Sequence, residues 1–360
     1  MCNNKNITIV VGMSGGVDSS VVALLLAKQG YNVVGLHMKG ENKETCDADE
    51  KRVIELCNHI GIEHQVVEYN DQMQIVKDYF INEYLQGRTP NPCVVCNREV
   101  KFNPFLKYVE QIGADYFATG HYASIIHNGD EHYLKKAKDK TKDQTYFLCQ
   151  LSQKQLSKAL FPLGELSKEE VRKIARENNL ISADTKDSYD ICFLGSEKFK
   201  DFMAKNYPEK DGDIVEEKTG KKVGRHTGVS KYTIGQRRGL GIGGSKEGNG
   251  ESWFVTKKDV KNNILFVTQG NGEELYGKGL ITGKMNWLLE PNTLEFKCKA
   301  KFRYRQEEQD VTVQLLNDGK TKVVFDKPQK AVTVGQYVVF YNSNDYCVGG
   351  SVIEEVLKEI

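Results

Sequence analysis

The sequence lacks any apolar run of about 18 residues, the length that crosses a bilayer, so we expect no membrane-spanning helix and no membrane partner. It also lacks an excess of charge, because 50 lysines and arginines stand against 49 aspartates and glutamates. A nucleic-acid partner would therefore need a locally basic surface, which net charge neither indicates nor excludes. No internal repeat is evident in the 360 residues, and this length indicates two or three domains.

We also expect no secretory signal, because Met1–Lys5 leads directly into an apolar segment. Nine cysteines, an odd number in a long chain, are not typical of a disulfide framework. We therefore expect a cytoplasmic protein with reduced thiols, a few of which take part in chemistry.

The first half alternates apolar strands with amphipathic helices, which is typical of a parallel sheet covered on both faces. We predict strands at 7–11, 31–38, 62–69 and 115–119, and helices at 20–29, 47–60, about 71–86 and 103–112. In the last helix, Asn103 would be the N-terminal cap and Pro104 would lie in the first turn. Ligands of such sheets bind at the carboxyl ends of the strands, where residues 12–19, Met38 and Gly120 fall.

The second half has a different pattern. Two predicted helices, 152–160 and 167–178, form a bridge, and from about residue 211 glycines interrupt short β-like segments. From about residue 280, alternating segments at 294–304, 311–316, 322–325 and 337–341 indicate a small β-barrel. The predicted fold class is α/β: a Rossmann-like parallel-sheet domain at 1–205 (including a helical bridge at about 150–205), a small glycine-rich β domain at 206–279, and a C-terminal β-barrel at 280–360.

A glycine-rich motif lies between the first predicted strand and helix. Backbone N–H groups and the positive end of the helix dipole make such a turn a phosphate site. The motif lacks the lysine of the Gly-Lys-Ser/Thr loop, and it resembles the Ser-Gly-Gly-x-Asp-Ser signature of the PP-loop ATP pyrophosphatases. This resemblance implies that ATP binds to the turn, with Asp18 holding Mg²⁺; the alternative is a turn that only lets strand and helix pack closely. The ATP-binding residues would be Gly12, Met13, Ser14, Gly15, Gly16, Val17, Asp18 and Ser19.

A second motif, Asn91-Pro92-Cys93-Val94-Val95-Cys96, carries two thiols behind a proline-stiffened loop. A Cys-x-x-Cys pair occurs in redox, zinc and iron–sulfur sites, including structural metal knuckles. A four-cysteine zinc site needs a second nearby pair, which the sequence does not show, although Cys192 is a third candidate thiol.

Together these segments resemble the tRNA-specific 2-thiouridylases, the MnmA family, over nearly the whole chain. The resemblance implies ATP-dependent 2-thiolation of the wobble uridine of tRNA: ATP adenylates O2, and sulfur then attacks C2 and displaces AMP. It also implies that Cys192 carries sulfur as a persulfide and that Cys96 is the nucleophile that closes a disulfide with Cys192. The matching segments are 12–19, 87–92, 96–97, 118–122, 142–144, 191–193, 235–241 and 302–305.

One position departs from the family pattern, because many members have Asp where this chain has Cys93. Cys93, Cys96 and Cys192 could instead hold a [4Fe–4S] cluster that leaves one iron open to hydrosulfide. The cluster and the cluster-free persulfide remain alternatives.

The resemblance also assigns partners and contacts. The partners would be the tRNAs for Lys, Glu and Gln and a persulfide donor such as a cysteine desulfurase or sulfur relay protein. Met38 and Gly120 would complete the ATP site, with Met38 on adenine, while arginines such as Arg237 and Arg238 would bind phosphate. Without the resemblance, the polar segment 135–145 would be interpreted as a solvated loop. A lone histidine such as His121 would be interpreted as a buried residue that forms hydrogen bonds. The tRNA contacts would be Asn91, Pro92, Cys93, His121, Lys142, Asp143, Gln144, Arg303, Tyr304 and Gln336.

Two other functions remain open on the sequence. Another PP-loop adenylating ligase would explain residues 12–19 but not the three cysteines or the barrel. A non-catalytic RNA-binding protein that stores thiols or metal would explain the cysteines but not the phosphate loop. Release of pyrophosphate that depends on tRNA distinguishes all three.

Overall fold

The computed structural model describes residues 4–39, 43–68, 70–185, 194, 199–243 and 250–360. Cys192, the predicted persulfide carrier, lies outside these residues. None of the described helices is long and apolar enough to span a membrane.

The N-terminal region contains a parallel sheet and a small hairpin. Its strands are β1 (Thr8–Gly12), β2 (Asn32–Lys39), β3 (Glu63–Glu68), β4 (Tyr116–Ala118), β5 (Ala123–Asn128), β6 (Glu131–Lys136) and β7 (Ala159–Leu160). Within the described residues the sheet order is β3-β2-β1-β4-β7, with every neighbouring pair parallel, while β5 and β6 form the hairpin. The alternating pattern of the sequence thus correctly predicted a Rossmann-like sheet.

Helices cover both faces of this sheet. Ile9 and Val11 face one apolar core and Val10 faces the other, and all three are fully buried. A strand buried on both faces needs apolar residues at every position, which explains the unbroken apolar run. The helices are α1 (Val17–Lys28), α2 (Lys43–Ile60), α3 (Asn70–Leu85), α4 (Pro92–Val95), α5 (Asn103–Ile112), α6 (Thr145–Leu148), α7 (Gln153–Lys158), α8 (Lys168–Glu177) and α9 (Phe199–Asn206).

The prediction that Asn103 caps a new helix is wrong. A π-helical segment, Cys96–Phe102, joins α4 to α5, so the backbone of Asn103 is already helical. Its side chain donates to Glu99 and accepts from Gln155 instead of capping a first turn. An Asn-Pro pair is common at helix starts, but it does not reveal that the preceding segment is already wound.

The second half is β-structure. Strands β8 (Gly212–Glu216), β9 (Lys222–His226), β10 (Trp253–Asp259) and β11 (Ile264–Gln269) form a sheet in the order β10-β11-β8-β9. Ile214, Val255 and Leu265 form part of its separate core. This small sheet is the β-rich central domain that the glycine-interrupted sequence predicts.

The C-terminal region is a closed β-barrel. Its strands are β12 (Tyr276–Thr282), β13 (Asn286–Trp287), β14 (Glu295–Lys301), β15 (Gln309–Leu315), β16 (Thr321–Lys330), β17 (Tyr337–Tyr341) and β18 (Cys347–Leu357). The order β12-β16-β15-β14-β17-β18 closes through pairing of β18 with β12, which removes the exposed sheet edges. Because β12 begins at Tyr276, we propose that the barrel domain begins there rather than at residue 280.

Candidate active site

The predicted phosphate-binding turn lies at the centre of the parallel sheet's carboxyl edge. β1 ends at Gly12, beside Leu36 of β2, and β4 ends at Ala118. The strand order reverses between β1 and β4, which is where open α/β sheets bind ligands. The structure therefore brings residues 12–19, Met38 and Gly120 to one edge.

Hydrogen bonds within the turn shape it as a cradle. Gly15 has a positive φ of 75°, which favours glycine. The hydroxyls of Ser14 and Ser19 lie 3.2 Å apart, and the Gly16 N–H lies 3.4 Å from Ser14 Oγ. No side chain caps the start of α1 at Val17, so the N–H groups of its first turn face the cradle. This arrangement suits a phosphate group.

Two glycines allow the turn to sit against its neighbours. A Cβ on Gly12 would lie 2.5 Å from Cζ of Phe105, and a Cβ on Gly120 would lie 2.9 Å from Cβ of Asp18. Both distances are shorter than side chains tolerate. Gly120 therefore lets the end of β4 approach the first turn of α1.

The carboxylate of Asp18 is held by two partners that the sequence did not indicate. Its Oδ1 accepts hydrogen bonds from the Tyr122 hydroxyl at 2.8 Å and from Lys168 Nζ at 2.7 Å, while Oδ2 lies 2.8 Å from the same Nζ. A carboxylate has further lone pairs, and Mg²⁺ commonly takes one protein carboxylate together with phosphate oxygens and water. Asp18 therefore fits the predicted Mg²⁺ role, and Lys168 is a cation paired with the same carboxylate.

A basic cavity of about 460 Å³ opens next to this pair. Four lysines and two acidic residues line it, so its net charge is positive. The lining residues are Lys138, Asp139, Lys140, Thr141, Lys142, Ser167, Lys168 and Glu169. The predicted tRNA contact Lys142 thus lies close to the phosphate turn.

The thiol segment begins as α4 leaves the loop at Asn91. Pro92 is buried in the first turn, Cys93 is exposed, and Cys96 is 5% exposed. Residues three apart on a helix share a face, so the two thiols lie on the same side. In the described part of the chain no three His, Cys, Asp or Glu side chains form a metal-binding group, and the third predicted ligand, Cys192, lies outside it.

Two of the predicted tRNA contacts, Asp143 and Gln144, form hydrogen bonds within the protein. Asp143 is 5% exposed and accepts hydrogen bonds from the Ala137 N–H and the Thr145 hydroxyl. Burial raises the pKa of its carboxyl group. Gln144 Oε1 accepts from the Tyr122 N–H at 2.9 Å. The side chain of Asp143 therefore faces inward, and its contact with tRNA stays a prediction.

His121 lies behind the turn in an apolar setting. It is 9% exposed, packs against Phe102 and Phe161, and its Nδ1 lies 2.7 Å from the Thr119 hydroxyl. Burial, reinforced by the charge of Lys101, holds the pKa of His121 well below its usual value. His121 is therefore neutral at pH 7 and does not offer a positive charge to phosphate.

The predicted tRNA contacts in the barrel, Arg303, Tyr304 and Gln336, each have different partners within the protein. One guanidinium nitrogen of Arg303 donates to the carbonyls of Ile234 and Ala331 and to Thr333 Oγ1, so this arginine links the barrel to the central region. Gln336 donates to the Thr89 and Pro90 carbonyls. Tyr304 is half-buried against Phe147, with ring centroids 4.3 Å apart. The exposed basic groups nearby are Arg237, Arg238 and Arg305.

Models of known protein families match all three regions of the chain. Three family models match: "tRNA methyl transferase HUP domain" over residues 7–196, "tRNA methyl transferase PRC-barrel domain" over 200–269, and "Aminomethyltransferase beta-barrel domain" over 277–353. Among solved structures, a U34-tRNA thiolase, NcsA, from Methanococcus maripaludis with its [4Fe-4S] cluster is 21% identical. That match has a TM-score of 0.37 and covers 57% of this chain and 68% of the other.

Curated full-length relatives are much more similar. The tRNA-specific 2-thiouridylases MnmA of Bacillus cytotoxicus and Bacillus thuringiensis are each 48% identical over 359 residues, covering 97% of this chain and 95% of each relative. Identity at this level, over nearly the full length of both proteins, confirms the resemblance seen in the motifs. The chain therefore belongs to the MnmA family of tRNA-specific 2-thiouridylases.

Proposed function

We propose that this protein catalyses ATP-dependent 2-thiolation of the wobble uridine in tRNA, with the tRNAs for Lys, Glu and Gln as substrates. One observation carries the proposal: a single helical run, 92–112, has the thiols at its start and packs Phe105 against Gly12 of the phosphate turn. Cys96 and Phe105 lie nine positions apart on this run. The helical run 92–112 therefore connects the proposed site of ATP binding with the proposed site of sulfur transfer.

The ATP step is assigned to the turn at the carboxyl edge of the sheet. Ser14, Gly15, Gly16 and Ser19, with the N-terminus of α1, bind the pyrophosphate that leaves when uridine O2 attacks the α-phosphorus. Mg²⁺ held by Asp18 would neutralise charge on that leaving group. Lys168, hydrogen-bonded to Asp18, adds a second positive charge at the same place. Met38 is assigned to adenine because it lies half-buried near the end of β2.

Adenylation has already converted uridine O2, a poor leaving group, into part of AMP, a good one, before the sulfur step begins. After adenylation, the terminal sulfur of a Cys192 persulfide attacks C2, and AMP departs with O2. The Cys96 thiolate then attacks the sulfur of Cys192, which breaks the S–S bond, leaves the thiocarbonyl on tRNA and forms a Cys96–Cys192 disulfide. A dithiol reductant reopens this disulfide, and a persulfide-donating protein such as a cysteine desulfurase or sulfur relay protein reloads Cys192.

The cluster alternative has partial support from the geometry. Cys93 and Cys96 lie on one face of a helix, as two ligands of one cluster would, and Cys93 is exposed. A [4Fe–4S] cluster held by these two and Cys192 would supply an open iron that binds hydrosulfide. Anaerobic purification with iron and sulfide analysis tests this alternative. It is excluded if metal-free enzyme and its Cys93→Ala variant both thiolate at the full rate.

The proposed function is tested by incubating the protein with ATP, a sulfur source and unmodified tRNA, followed by mass spectrometry of the nucleosides. We expect 2-thiouridine from the wild type and none from Cys96→Ala or Cys192→Ala. Cys298→Ala is the matched control, because burial raises the pKa of that barrel thiol to about 12 and makes it unreactive. Pyrophosphate release without tRNA, and no thiouridine, would instead favour another adenylating ligase.

A further inference from the structure

A turn of the barrel holds the loop that leads into the thiol segment. The Thr89 N–H donates to the Val334 carbonyl at 2.9 Å. Gln336 Nε2 donates to the Thr89 carbonyl at 2.9 Å and to the Pro90 carbonyl at 3.2 Å. Thr89 and Pro90 are buried, so these bonds are shielded from water. Three backbone groups of the loop are thus fixed by residues almost 250 positions away along the chain.

Gly335 makes this contact possible. Its φ is +92°, and a Cβ there would lie 2.9 Å from the Thr89 nitrogen and 3.0 Å from its carbonyl oxygen. These atoms are backbone, so they could move away only by shifting the loop. The turn itself is anchored, because Gly335 N–H donates to the Ile353 carbonyl and Ile353 N–H donates to the Gln336 carbonyl.

A second connection joins the barrel to the thiol segment itself. Arg98, two residues after Cys96, donates to Gln150 Oε1 at 3.0 Å, and Gln150 Nε2 donates to the Gly350 carbonyl of β18 at 2.6 Å. On the other side of the loop, a Cβ on Gly87 would lie 2.5 Å from Val260 of the central region. The barrel therefore contacts both the loop and the thiol segment that follows it, and the central region contacts the loop.

We infer that the barrel turn 333–336 positions the thiol segment for sulfur transfer, and that Gln336 contributes through its bonds to the Thr89 and Pro90 backbone. This inference depends on the proposed function. Gln336 is thus a positioning residue. Its side-chain nitrogen donates to two carbonyl oxygens of the loop, while its Oε1 is an acceptor that these bonds do not use.

The test compares two variants of the turn with matched controls in the same barrel. Gly335→Ala puts a methyl group into the loop backbone, whereas Gly319→Ala carries the same strain at φ +80° with only a lysine side-chain atom at 3.9 Å. Gln336→Ala removes both bonds to the loop, whereas Gln314→Ala removes one bond to the exposed Glu295. Thermal unfolding identifies any variant that fails to fold, and the Gln336 pair keeps the test decisive if Gly335→Ala does.

Three quantities are measured: the rate of 2-thiouridine formation at saturating tRNA, the tRNA dissociation constant, and the rate at which iodoacetamide labels Cys93 and Cys96. We expect Gly335→Ala and Gln336→Ala to lower the thiolation rate by about ten- to a hundredfold, because misplacement by about 1 Å has effects of this size. Labelling of Cys93 and Cys96 should change in both variants, and Gly335→Ala, which keeps the Gln336 side chain, should leave the tRNA dissociation constant unchanged.

Two results would overturn the inference. One is weaker tRNA binding by Gln336→Ala with unchanged thiol labelling, which would make Gln336 a tRNA contact. The other is a normal thiolation rate in both turn variants. If the wild type and the control variants also form no 2-thiouridine, the proposed function itself fails, so the two failures are distinguishable.

Discussion

At the residue scale, the main feature of the candidate ATP site is the ion pair between Lys168 and Asp18. The lysine is nearly buried, with its side chain 12% exposed, and it meets both oxygens of a carboxylate in the first turn of α1. Charge-assisted bonds of this kind are about twice as strong as neutral ones. Lys168 therefore fixes the position of the carboxylate that is assigned to Mg²⁺.

Replacing Lys168 by methionine keeps the length of the side chain and removes its charge. We expect kcat/KM for ATP in tRNA-dependent pyrophosphate release to fall by about tenfold or more, because one charged contact with the phosphates is lost. Lys173→Met is the control, since Lys173 lies on the same helix with its side chain 75% exposed. Equal kinetics in the two variants would remove Lys168 from the ATP site.

His121 gives a prediction about pH. Its pKa is held well below 6.5 in the folded protein, so the folded state binds fewer protons than the unfolded chain once the pH falls below 6.5. The stability that this neutral histidine contributes is present above that pH and is lost as the pH drops. In urea unfolding at pH 7 and pH 5, His121→Asn should therefore show a smaller loss of stability than the wild type. An equal loss in both proteins would contradict the low pKa.

At the level of single residues, the sequence predicted local features of the site but not contacts between distant positions. A backbone cradle is local, so the glycine turn at 12–19 is visible in the sequence. The partners of Asp18, by contrast, come from positions 122 and 168, and nothing local to Asp18 indicates them. The burial of Asp143 was not visible in the sequence, because a charged residue in a polar loop is usually exposed, whereas here its carboxylate accepts a hydrogen bond from the loop's own backbone.

At the scale of elements, α8 matters because it carries Lys168 in its first turn. Ser167 caps it, accepting from the Glu170 N–H while Glu170 accepts from the Ser167 N–H. The same capping box occurs at α7, between Ser152 and Gln155. One cap thus lies beside the candidate ATP site, and the other lies elsewhere in the N-terminal region.

This pair of caps allows a matched experiment. Ser167→Ala and Ser152→Ala should each lower the free energy of unfolding by about 1 kcal/mol, the usual effect of losing a serine cap. Only Ser167→Ala should also raise KM for ATP, because the first turn of α8 holds Lys168 against Asp18. Urea unfolding and pyrophosphate release measure the two effects. A raised KM in both variants would indicate a general loss of stability instead.

Elements with a clear helical pattern or an unbroken apolar run were predicted well, and those without such a signal were not. The predicted helix 47–60 appears as Lys43–Ile60, and the predicted strand 337–341 appears as Tyr337–Tyr341. The π-helical segment Cys96–Phe102 was missed, because the proline and asparagine that follow it resemble the start of a helix. The central strands could be placed in a β domain, but glycines hid their individual bounds.

At the scale of the whole molecule, the near balance of charge conceals local basic surfaces. The cavity lined by Lys138, Lys140 and Lys142 and the exposed Arg237 and Arg238 are such surfaces. The closed barrel and the parallel sheet were predicted from the sequence, whereas the contact of Gln336 with Thr89 was not. Contacts between distant segments depend on how the domains pack, which no local pattern encodes.

Binding of tRNA should therefore depend steeply on salt. Each phosphate contact contributes about −0.7 for single strands and −0.9 for duplexes to the slope of log affinity against log salt concentration. Lys142→Ala should make this slope shallower by about one contact. Lys320→Ala, a barrel lysine paired with Glu354, is the control and should leave it unchanged. A flat salt response in the wild type would contradict binding of tRNA at these surfaces.

The central claim is that ATP activates uridine O2 so that sulfur displaces it as part of AMP. The most direct measurement is to run the reaction in H₂¹⁸O and analyse AMP by mass spectrometry as 2-thiouridine forms. Because the oxygen gained by the α-phosphate comes from uridine, the account predicts AMP without the solvent label, one molecule for each 2-thiouridine. AMP that carries ¹⁸O from the solvent in that proportion would show that water, not uridine, attacks ATP, and would contradict the account.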